Sequence, residues 1–66
     1  MLPAIEILDS KSVLIKRLKV NKDSEQQYTS SWDGTNESLD KVSGGLYIVL
    51  CSVGNKRTAR KILFNP

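Results

Sequence analysis

Chemistry has few places to start in this chain. The 66 residues include no histidine and a single cysteine, Cys51. The first absence removes the commonest general base and the commonest zinc ligand, and the second leaves no intrachain disulfide or thiolate cluster to build. Ser30, Ser31 and Ser43 have no imidazole to activate them. Cys51 lies in an apolar run, the setting of a buried, inert thiol. Carboxylates occur, but none sits in an apolar surround that would split a pair into acid and base. No catalytic residue, cofactor or small-molecule substrate is expected, and the chain reads as non-enzymatic.

Two clusters remain that could bind something. Asp33, Thr35, Asn36, Glu37 and Asp40 gather oxygen donors in one loop, the raw material of a Ca²⁺ site, but their spacing lacks the terminal bidentate Glu of an EF-hand. A solvated loop is the better reading and no metal is assigned; a Ca²⁺-dependent carbohydrate contact is the weaker alternative. Asn36-Glu37-Ser38 fits a glycosylation sequon, a motif too short to carry weight. Lys16, Arg17, Lys19 and Lys22 in one arm, and Lys56, Arg57, Arg60 and Lys61 in another, would form a polyanion face if their strands were neighbours. Of these, Lys16, Arg17, Arg60 and Lys61 are the candidate contact residues. The formal charge is only +3, and no aromatic platforms interleave with the cations, so nucleic-acid or polyanion binding stands as the alternative rather than the main reading.

The elements that position these residues are short and alternating, with turn formers at each boundary. The runs are Ala4 to Leu8, Val13 to Val20, Tyr28 to Trp32, Leu46 to Val53 and Lys56 to Phe64. Asp9-Ser10-Lys11-Ser12 predicts a hairpin loop after the first, and Gly54-Asn55 predicts one between the last two. Tyr28, Ser30 and Trp32 share a parity, which points both rings at the core. Leu46 to Val53 is apolar on both faces, the mark of a central strand. The predicted core is Ile5, Ile7, Leu14, Leu18, Tyr28, Trp32, Tyr47, Val49, Cys51, Ile62 and Phe64. Trp32 reads as a buried anchor rather than a ligand platform, with Asp33 accepting backbone N–H groups inside its turn. A hydrophobic fraction of 39% in 66 residues suits one small domain, spanning 1–66, near the lower limit of independent stability.

The stretch Trp32-Asp33-Gly34, then Gly44-Gly45-Leu46-Tyr47, Gly54 and Arg60-Lys61-Ile62-Leu63 resembles the Ig-like domain of the flagellar hook-capping scaffold, a domain also found at the C-terminal end of large secreted bacterial proteins. The structural motif residues carried over are Trp32, Asp33, Gly34, Gly45 and Tyr47. Upstream, Ile5-Glu6-Ile7-Leu8-Asp9 and Leu14-Ile15-Lys16-Arg17-Leu18 are similar to the family's earlier strands in a generic way, while Cys51 stands where the family usually has Leu. The family opens with a further strand that has no counterpart here. The related C-terminal sorting domains of type IX secretion share the G-x-Y and basic-pair pattern.

The resemblance implies a small Ig-like β-sandwich of about five antiparallel strands lacking its first strand. Such a module would be secreted or displayed at the cell surface as part of a larger bacterial protein, serving assembly, anchoring or sorting. Its partner would be another protein or a second copy, met through an open sheet edge. No apolar run is long enough to span a membrane, and Met1 to Glu6 has neither the basic start nor the apolar stretch of a signal peptide.

Overall fold

A computed structural model describes residues 3–23, 25 and 27–65; Met1, Leu2 and the closing Pro66 lie outside them. The chain is all-β and antiparallel, as the alternation predicts, and the described residues form six strands: β1 (Ala4–Asp9), β2 (Leu14–Leu18), β3 (Asn21–Lys22), β4 (Tyr28–Thr29), β5 (Gly45–Val53) and β6 (Lys56–Phe64). Four of them form one sheet in the order β2-β1-β5-β6, and β3 pairs with β4 in a separate ribbon. Both predicted hairpins are present, β1 with β2 and β5 with β6, the second turning at Gly54-Asn55. As its two apolar faces predict, β5 is central, flanked by β1 and β6.

The register defines two faces, since directly opposed residues of an antiparallel pair project to the same side. Ile5, Ile7, Tyr47, Val49, Cys51, Ile62, Phe64, Leu18 and Lys16 share the inner face. Leu8, Ile48, Leu50, Leu46 and Leu63 share the outer one, with Glu6, Arg17 and Lys61. The inner face is covered by an irregular segment. Trp32 lies with its ring centroid 5.2 Å from Tyr47 and 4.8 Å from Phe64, and Gly34 sits on the Phe64 ring. Ile7 and Tyr47 are the most deeply buried apolar residues.

Three expectations need correction. The run Val13 to Val20 is strand only over β2, Leu14–Leu18, and the ribbon begins beyond it at Asn21. Leu14 is not core: the register shifts between Ile7 and Leu8, so that Ile7 opposes Lys16 while Leu8 opposes Leu14. The extra residue turns Leu14 to the outer face, where it is 37% exposed. Tyr28 is not core either. Its strand is only two residues long because its partner β3 is, and the chain leaves the ribbon at Ser30, whose hydroxyl donates to Lys19 O at 2.7 Å. The parity that would have sent Tyr28 and Trp32 to the same side is lost there, and Tyr28 stays exposed beside the Lys22 ammonium.

Three connections are built alike. In each, an Asx side chain accepts the backbone N–H groups two and four residues on: Asp9 from Lys11 and Val13, Asp23 from Glu25 and Gln27, and Asn36 from Ser38 and Asp40, all at 2.8–3.0 Å. The Asx N–H in turn donates to the carbonyl four residues on. The polar atom that makes Asp and Asn turn formers thus fills the centre of the turn.

Candidate functional site

The Trp-Asp-Gly segment is held by bonds that run both within it and to β2. Asp33 Oδ1 accepts from Thr35 N at 3.0 Å and Thr35 Oγ1 at 2.6 Å, and the Trp32 indole N–H donates to Thr35 O at 2.9 Å. Lys16 reaches across from β2, donating to Thr35 Oγ1 at 2.6 Å and lying 3.5 Å from Asp33 Oδ1. The hydrogen bonds from Thr35, first the hydroxyl and then the backbone N–H, hold the Asp33 carboxyl below its usual 3.8, and the Lys16 ammonium adds to them. Further along, Glu37 N donates to Ile15 O at 3.1 Å and Glu37 Oε1 accepts from Arg17 N at 2.8 Å. The loop therefore closes the outer edge of β2. Tyr47 completes the cluster, its hydroxyl donating to Ser43 O at 2.6 Å.

Trp32, Asp33, Gly34 and Tyr47 are thus brought together as one packed and hydrogen-bonded unit over the inner face, with Gly45 paired to Phe64 beneath it. The chemistry of that unit is retention: its donors and acceptors are directed at the chain itself. A concavity of about 290 Å³ beside β2 is lined by Lys16, Arg17, Leu18, Lys19, Ser31 and Asp33, and its Asp33 carboxylate is already hydrogen-bonded to Thr35. Most oxygen donors of the 33–40 loop are engaged in the same way. Asp33, Asn36 and Glu37 each accept a backbone N–H, and among the described residues no three acidic or thiol side chains converge as metal ligands.

The four cations singled out in the sequence do not meet. β2 and β6 are opposite edges of the sheet, roughly 14 Å apart at three strand spacings. Each edge also divides its charges between faces: Lys16 and Arg60 lie on the inner face, Arg17 and Lys61 on the outer. At the β2 edge both charges are matched within the chain, Lys16 by Asp33 and Arg17 by Glu6 at 3.1 Å. Lys16, with a side chain 18% exposed, is a tie between layers. Sequence reading missed this because nothing local links positions 16, 33 and 35.

What sequence reading also missed is the outer face itself. Leu8, Ile48 and Leu50 are half-buried there, and around them Leu46 is 46% and Leu63 77% exposed, with Leu14 beside them. These positions belong to adjacent strands and form one apolar surface. The available signal was the two-faced apolarity of β5, which implies a cover on both sides.

No family model, curated protein or solved structure matches the chain. Among the described residues, no helix is long and apolar enough to cross a membrane.

Proposed function

We propose that the chain is a non-catalytic structural or interaction module, of the Ig-like kind its Trp-Asp-Gly and Gly-x-Tyr elements resemble, working within an extracellular or cell-envelope bacterial protein. The observation that carries this reading is the uncovered leucine face of a sheet whose other face holds the buried Ile7 and Tyr47 under the Trp32 segment. Isolated exposed leucines are ordinary, but a contiguous apolar sheet face is characteristic of a contact surface. The chain exposes 5228 Å², against about 4,200 Å² for a compact monomer of this mass, an excess shared among the leucine face, the β3–β4 ribbon and β6. Assembly, anchoring and sorting all use such a surface.

The test is solution mass by light scattering across a dilution series, with dye binding to exposed apolar surface, for the wild type and for Leu14→Thr combined with Leu46→Thr. Self-association, or strong dye binding, that the double substitution removes without lowering the melting temperature supports the reading. A wild type that stays monomeric and binds dye no better than the variant overturns it.

A further inference from the structure

We propose that the free edge of β6 accepts an extended acidic segment of a partner protein as an added strand. The inference rests on the reading of the chain as an interaction module and specifies where and with what it interacts. The two edges of the sheet differ. The β2 edge is occupied by Glu37, through Ile15 O and Arg17 N. Along the nine residues of β6, among the described residues, no loop or side chain bonds to the backbone on the side away from β5. An edge of that length is a template for strand addition.

Charge decides what can be added. Lys56, Arg57, Arg60 and Lys61 are all exposed, and their cross-strand partners on β5 are Val53, Ser52, Val49 and Ile48, none of which carries a charge. The contrast with β2 is internal to the sheet, since Arg17 stands opposite Glu6 and is paired with it. A second β6 is excluded as the occupant, because pairing the edge with itself sets cations against cations. A polyphosphate chain is a poor fit as well. Lys56 and Arg60 project to the inner face and Arg57 and Lys61 to the outer, so a single backbone of phosphates lying on either face meets only two of them. An extended peptide alternates its own side chains between the same two faces. Acidic residues in adjacent pairs four positions apart would set one carboxylate beside each cation.

The probe is the peptide Thr-Glu-Glu-Thr-Val-Glu-Glu-Val-Thr, titrated into the intact chain and followed by amide hydrogen exchange and NMR shifts. Saturable binding that slows exchange at alternate amides of 56–64 is expected, together with loss of binding when the peptide's glutamates are replaced by lysines. Arg60→Glu combined with Lys61→Glu should weaken binding by at least about tenfold. The lysine peptide keeps the test decisive if that variant does not fold. Absence of binding, binding without β6 protection, or equal protection by tripolyphosphate would overturn the proposal. Leu14 and Leu46 lie off β6, so their substitution tests the leucine face separately, and either result can fail alone.

Discussion

Gly34 rests on the ring of Phe64 so closely that a β-carbon at position 34 would run into the ring edge. Its backbone is also in the left-handed region, at φ +81°. Two independent conditions therefore select glycine here, and they make separable contributions. Gly34→Ala should destabilise the fold by about 2–4 kcal/mol through backbone strain and overpacking together. Combining it with Phe64→Leu should recover part of the loss, because only the steric component depends on the ring. Chemical denaturation of the two single variants and the double variant measures the coupling, and strict additivity would show that the ring plays no part.

Ser12 and Leu39 occupy equivalent places in two of the Asx turns, third after Asp9 and third after Asn36, and both have positive φ, +66° and +67°. Side chains bear a penalty there that glycine avoids. Ser12→Gly and Leu39→Gly should each stabilise the chain by about 0.5–1 kcal/mol, net of glycine's greater freedom in the unfolded chain. Ser10→Gly, in the same turn as Ser12 but at negative φ, is the control and should lower the melting temperature. Leu39 is 73% exposed, so no packing is lost to obscure the gain.

Trp32 joins the covering segment to Tyr47 and Phe64 by ring contacts and to Thr35 by its indole N–H. Truncation to alanine should cost about 3–5 kcal/mol, comparable with the whole stability of a domain this small, about 3–10 kcal/mol. Loss of cooperative thermal unfolding by circular dichroism is the expected result, and an unmoved melting curve would remove Trp32 from the core. Tyr47→Phe, which deletes only the bond to Ser43 O, should cost about 1 kcal/mol.

Asp33 has a folded-state pKa depressed below 3.8, first by the Thr35 hydroxyl and backbone N–H and then by Lys16. A depressed carboxyl contributes stability that is present above its unfolded-state pKa and disappears as pH falls through the folded value. Stability should therefore decline as the pH drops below about 4, and Asp33→Asn should flatten that decline while leaving other carboxyls to titrate. Thr35→Val, which removes the largest cause, should move the loss to higher pH. Denaturation midpoints between neutral and strongly acidic pH give the comparison.

Legibility in the sequence followed the range of the interactions. The β5–β6 hairpin could be read because alternation and the Gly54-Asn55 turn are both local, and Gly54 indeed has φ +59°. Tyr47 was readable as core for the same reason, whereas Trp32 reaches the inner face from an irregular segment and not through the parity that predicted it. Leu14 was misplaced because one extra residue in β2 reverses facing, and a bulge leaves no mark in apolar spacing. Tyr28 was misplaced because strand length is set by the partner, and β3 ends after Lys22. The Lys16 tie to Thr35 and Asp33 joins positions 17 and 19 residues apart, beyond any periodicity. Two of the three Asx turns were half visible, since Asp9 opens a predicted hairpin loop and Asn36 lies in a polar loop, but only the structure shows that their bonding is the same and recurs at Asp23.

That shared bonding makes the connections self-contained. Each of these turns closes through contacts spanning five residues, so a hairpin can form in the unfolded ensemble before any distant part of the chain arrives, and the 9–13 turn can seed β1 against β2. It also makes the connections interchangeable parts. A foreign five-residue segment that keeps the leading Asp or Asn, and places glycine fourth, should graft at 9–13 or 36–40 without disturbing the other turn, which would turn this sheet into a scaffold for displayed loops.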